Sequence, residues 1–173
     1  MVKDLLEEHY KQHGFPKLAA RFIQEPQLIP ELVEIAISDL KHPFPECASW
    51  LLTHIVKTNP ELLEEFQPLF IDCLFHSKNQ SVLRNLCNTC TNLPLIDYKE
   101  SEFLDHLITF IKDDSNKVAL FVYAIYKLIQ FTEKYPEIKP EIEGIIELKQ
   151  TVTIQPAVRI GIRNYLKATK SIA

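Results

Sequence analysis

One helical face returns four times along this chain. With Phe44, Val82, Val118 and Val158 as origins, the separations are 38, 36 and 40 residues. Four positions on stand Ala48, Leu86, Val122 and Ile162; seven on, Leu51, Thr89, Ile125 and Tyr165; eight on, Leu52, Cys90, Tyr126 and Leu166. Such a set lies on one side of an α-helix, and its return at this period marks a solenoid of stacked helices. A polar turn precedes each origin (Lys41-His42-Pro43, Ser77-Lys78-Asn79-Gln80, Asp113-Asp114-Ser115-Asn116, Thr151-Val152-Thr153), and before most turns lies a shorter amphipathic stretch such as Glu31–Ile37 or Phe103–Ile108. Neither helix of such a unit can bury its apolar face alone, so neighbouring units must stack.

The punctuation agrees. Only three glycines occur (Gly14, Gly144, Gly161), too few for the tight turns of a sandwich or barrel. Pro26, Pro43, Pro45, Pro60, Pro94, Pro136 and Pro156 fall where one helix must end or another begin. Periodicity between them predicts helices over 2–13, 16–24, 28–39, 45–58, 61–75, 80–93, 100–112, 117–135, 139–149 and 156–170. A chain of 173 residues, 46% hydrophobic and 24% charged, fits one domain over 1–173, with capping helices in 1–27 and repeats over 28–170. The run Val118–Tyr126 is apolar all the way round, as a helix covered on both sides would be.

An apolar helix, a turn with Asp or Asn, then Val82-Leu83-Arg84 or Val158-Arg159 opening a second helix resembles the HEAT and armadillo-like repeat class over about residues 28–170. The resemblance implies an all-α, right-handed α–α superhelix of about four helix pairs plus N-terminal helices. Cys47–Leu52, Lys117-Val118-Ala119 with Tyr123-Ala124, and Ala157–Arg163 are similar to small bacterial HEAT-like proteins that often carry an adenylosuccinate lyase name. That activity is not implied for this chain. Such lyases have a Gly- and Ser-rich catalytic loop with Met and Lys in a chain more than twice as long, and the only Met here is Met1.

Charge is distributed unevenly. Residues 1–147 hold 14 bases against 23 acids, whereas 148–173 hold five bases and no acid. An overall excess of acid argues against a generalised nucleic-acid surface. No stretch approaches the roughly 18 apolar residues of a membrane span, and no apolar leader opens the chain. Cys47, Cys73, Cys87 and Cys90 lie inside helical patterns, so free thiols in a reducing, cytoplasmic setting are expected.

Apparent active sites dissolve when their neighbours are considered. Cys73/His76 with Cys87/Cys90 has metal-ligand spacing, but both pairs sit in helical patterns without glycine and Cys90 occupies a repeated core position, so small buried thiols are expected and no metal. His9 and His13 are four apart, but Glu8 precedes His9 where a zinc protease needs Glu after the first His. His54 and His106 lack a Ser or Cys in nucleophile context. Glu64-Glu65 and Asp113-Asp114 flank turns, as solvated helix ends do. No glycine-rich loop could cradle a phosphate.

Two features remain. Trp50 falls at +6, off the repeated face, where the other units have Asn88, Ala124 and Asn164; it is expected to pack on the N-terminal helices bearing Phe15 and Phe22, or else to anchor a partner. Arg159, Arg163, Lys167 and Lys170 form one basic stripe on the last helix, either a polar cap or a surface for an anionic partner. The expectation is a non-catalytic scaffold that takes a protein or peptide, with no cofactor and no membrane role. Its rival is a nucleic-acid-directed function, since some HEAT-like proteins are glycosylases of alkylated DNA; those are basic and line a groove with several aromatics, whereas this chain is acidic with one Trp.

Overall fold

The computed structural model describes residues 1–12, 15–151 and 155–172, without the side chains of 12, 15 and 16. Among the described residues all regular structure is helical. Ten α-helices follow in order: α1 (Val2–Gln12), α2 (Phe15–Gln24), α3 (Ile29–Ala36), α4 (Phe44–Thr58), α5 (Gln67–His76), α6 (Gln80–Thr91), α7 (Glu100–Lys112), α8 (Val118–Lys134), α9 (Lys139–Gln150) and α10 (Pro156–Ala168).

Proline sets the entry to α3, α5 and α9 in the same way. Pro26, Pro60 and Pro136 each open a short 3-10 turn, and Pro30, Pro68 and Pro140 then stand in the first turn of α3, α5 and α9. A missing N–H is harmless there because those first donors have no intrahelical acceptor. The same residue corrects one expectation. A continuous helix over 61–75 would place Pro68 in its interior; instead Pro60–Leu62 and Glu64–Phe66 are 3-10 turns and α5 starts at Gln67. Helix α3 ends at Ala36 rather than at 39, and Ser38 Oγ donates to the Ile35 carbonyl at 2.8 Å.

The chain gathers into two compact units, Met1–Leu93 and Pro94–Ala173. In the first, α4 is central, touching α1, α2, α3 and α6, while α5 lies on α6. Helices α5 and α6 fold back on one another across the turn 77–79, the helical-hairpin unit the repeat requires. In the second unit α8 lies between α7 and α10, and α9 touches α7. None of Val118–Tyr126 is exposed, as expected of a helix with neighbours on both sides.

Burial refines the repeated face. The +7 residues Leu51, Thr89, Ile125 and Tyr165 have no exposed surface, and the +3 set of Cys47, Asn85, Phe121 and Gly161 is buried as well. Ala48, Leu52, Leu86 and Ile162 are buried as expected, but Val122 is half-buried and Leu166 is 38% exposed. The core face of α10 is therefore Gly161, Ile162, Tyr165 and Thr169, which turns Leu166 to the edge of the contact with α8. A Cβ at Gly161 would stand 3.4 Å from Ile125 Cγ2, ordinary contact for a helix lying close on its neighbour.

Buried polar groups tie the helices of each unit together. Asn85 Nδ2 on α6 donates to Ser49 Oγ on α4 at 3.0 Å, and the Tyr165 hydroxyl on α10 meets Thr132 Oγ1 on α8 at 2.9 Å. Such pairs offset the cost of burying a polar atom and admit one register only.

Candidate functional site

A cleft of about 330 Å³ opens in the first unit between α4 and α6, with Tyr10 of α1 at its rim. Helix α6 starts at one side of it because Asn79 caps the helix: its Oδ1 accepts from the N–H groups of Ser81 (3.0 Å) and Val82 (3.3 Å). The amide of the same side chain donates to Glu46 Oε1 on α4 at 2.8 Å, fastening the two walls. His42 Nδ1 lies 3.4 Å from the same oxygen, and the Tyr10 hydroxyl lies 3.4 Å from His42 Nε2. Burial raises the Glu46 pKa, but hydrogen bonds from Asn79, its own backbone and His42 outweigh it, and the group is held below the usual carboxylate range. Its Oε2 is buried and has no hydrogen-bond partner among the described residues.

Trp50 stands half-buried in the cleft wall, its ring centroid 4.1 Å from that of His54. Of the N-terminal aromatics expected to cover it, Phe22 is fully buried where α2 lies on α4, and the Phe15 side chain is outside the described residues. Across the cleft, Arg84 Nε and Nη2 donate to Asn85 Oδ1 at 3.2 and 3.1 Å. Arg84 and Ser81 were not anticipated; their one visible signal is the Val-x-Arg pattern at Val82–Arg84, which concerns the repeat and not a pocket.

In the second unit Arg159, Arg163, Lys167 and Lys170 are exposed on one side of α10, and none forms an ion pair with a carboxylate among the described residues. Arg159 and Arg163 line a cleft of about 290 Å³ with Gln150, Ile162 and Leu166. Ile160, 47% exposed, and Leu148 on α9, 73% exposed, add apolar surface to the same unit.

The remaining constellations have ordinary surroundings. Cys87 and Cys90 lie in the core, Cys73 is half-buried and His76 is exposed, donating from Nδ1 to the Asp72 carbonyl at 2.8 Å. Among the described residues no three His, Cys, Asp or Glu side chains converge as a metal would require. Burial, with Asp39 nearby, pushes the Cys73 thiol up to about 11, and burial, with Glu46 nearby, does the same at Cys47, so neither is a ready thiolate. His9 is bonded to the Leu5 carbonyl, while His13 lies outside the described residues. Asp114 pairs with Lys149, and Asp113 accepts from the Ser115 N–H.

A family described as HEAT repeat domain matches residues 2–169, and the chain belongs to it. No match was found to a curated protein or to a solved structure, so nothing supports the adenylosuccinate lyase name. HEAT repeats are helical scaffolds that often mediate protein interactions, and no described helix is long and apolar enough to cross a membrane.

Proposed function

We propose that this protein is a non-catalytic scaffold that binds an acidic segment of a protein partner along α10. The observation that carries the reading is four exposed cations, without carboxylate partners among the described residues, beside a cleft edged by a partly exposed leucine. Solvated cations alone contribute little affinity. Placed next to apolar surface, they steer an acidic chain and fix its register while the apolar contact holds it. Cys47 and Cys73, their thiols raised to about 11 by burial, are poor nucleophiles near neutrality, and no cofactor is part of this reading.

Binding to a synthetic amphipathic Glu/Leu peptide, measured across a salt series for wild-type protein and for Arg159→Glu/Arg163→Glu, tests it. Saturable binding that weakens with salt and is lost in the double variant is expected, chiefly through slower association. A duplex oligonucleotide bound more tightly than the peptide, with log affinity falling about 0.9 per phosphate contacted against log salt, would favour the nucleic-acid reading. Failure to bind either probe rejects the role of α10.

A further inference from the structure

We infer that the α4–α6 cleft of the first unit is a recognition pocket for an acidic side chain followed by an aromatic or branched apolar one, presented by a peptide segment. The inference rests on the reading of the protein as a peptide-binding scaffold and adds a second site with its own chemistry.

A guanidinium carries five donors. Two of Arg84's are spent on one oxygen, Asn85 Oδ1, and the residue forms no ion pair among the described residues. That oxygen is itself fixed: Asn85 is only 4% exposed, and its amide nitrogen is held by Ser49 Oγ at 3.0 Å and by the Glu46 carbonyl at 3.4 Å. The plane of a half-buried cation is thus set by a buried neutral amide, which leaves its charge unanswered. A group oriented in advance binds without a further ordering cost. Ser81, one turn earlier on α6, lines the same cleft, and its hydroxyl makes no hydrogen bond among the described residues. An arginine and a hydroxyl at i and i−3 present a paired set of donors to one carboxylate.

The opposite wall sets the rest of the ligand. Trp50, half-buried with the His54 ring against its own, adds apolar surface to this wall, beside which an apolar side chain of the ligand would lie. A volume of about 330 Å³ is at the small end for a ligand pocket and accommodates one or two side chains rather than a cofactor. Polyanions are disfavoured because the Glu46 carboxylate shares the wall, held in its charged form, and because residues 1–93 carry eight bases against twelve acids. A single carboxylate with an apolar neighbour meets these conditions; a phosphate chain does not.

Trp50 is the only tryptophan, so its emission reports the cleft directly. The probes are N-acetyl-Glu-Phe-amide and its neutral analogue N-acetyl-Gln-Phe-amide, titrated separately, with a thymidine oligonucleotide in a third arm. A saturable change with the Glu probe, at least about tenfold tighter than with the Gln probe, is expected from a charge-assisted pair. Arg84→Gln should abolish the difference and Ser81→Ala reduce it, with helicity and thermal midpoint unchanged. Equal affinity for the two peptides, a preference that survives Arg84→Gln, no saturable response, or tighter binding of the oligonucleotide each overturns the inference. Should Arg84→Gln fail to fold, the Glu/Gln ratio on wild-type protein decides alone. These outcomes are separate from the α10 test, because Arg159→Glu/Arg163→Glu leaves the cleft intact. Loss here with success at α10 removes this pocket only, and loss at both removes the scaffold reading.

Discussion

Leu86 and Ile125 have no exposed surface and belong to different units, so truncating either to alanine removes packed methyl groups and leaves a void. Each change should cost about 2–5 kcal/mol in denaturant unfolding, whereas Leu166→Ala, at a site already 38% exposed, should change stability by less than about 0.5 kcal/mol. A similar loss at all three positions would show that the register of α10 differs from that described. Gly144 makes the opposite case. It stands exposed within α9, and a Cβ there meets nothing within 4 Å. Gly144→Ala should therefore raise stability by about 0.5–1 kcal/mol, since the change removes backbone freedom from the unfolded chain and touches nothing in the folded one; an unchanged or lower unfolding midpoint would refute it.

Between elements, the tie from the start of α7 to the end of α8 carries a pH dependence. Glu100 accepts from Lys134 Nζ at 2.7 and 2.9 Å and from the Tyr135 hydroxyl at 3.0 Å. The Lys134 hydrogen bond, opposed by burial and aided by Tyr135, holds its carboxyl below the usual range. A carboxylate whose pKa is depressed by folding contributes fully above its ordinary pKa and loses that contribution as pH falls through the lowered value. Lys134→Ala should thus be less stable than wild type near neutrality, with the gap in urea midpoint closing in acid; a gap that stays constant with pH would exclude the pair as its source. Elements of this kind were legible in the sequence where periodicity and punctuation agreed, and α7, α4 and α8 fall within a residue or so of their expected limits. The segment 61–75 misled because its apolar spacing continues through Pro68 although the backbone cannot. The +3 core position went unseen for a different reason: Cys47, Asn85, Phe121 and Gly161 share a place in the packing and no property of size or polarity. The cleft was half legible. Trp50 stood out as an aromatic off the repeated face, but Arg84's importance comes from an amide neighbour held by residues 36 and 39 positions away, which no local pattern displays.

Over the whole molecule, a formal charge of −4 coexists with a cationic last helix. Reversing Arg159 and Arg163 should leave thermal stability almost unchanged, since both side chains are exposed and form no ion pair among the described residues; a collapse of stability would make the stripe part of the fold rather than a surface. The thiols give a second global measurement. Cys73 should react first with a disulfide reagent, and slowly, its thiol being pushed up to about 11, while Cys87 and Cys90, with no exposed surface, should react only as the protein unfolds. Early reaction at Cys87 or Cys90 would contradict their place in the core.

Lys127 has no exposed surface either, its ammonium turned inward to the Pro94 carbonyl at 3.3 Å and to Gln130 Oε1 at 2.8 Å. An acylating reagent that marks every other lysine on the surface of this unit within minutes can reach Lys127 only during the brief intervals when α8 parts from its neighbours. The native molecule thus carries its own clock for local opening, and the acylation half-time at this one nitrogen, set against that of Lys117 on the exposed turn before α8, reads how often the second unit breathes.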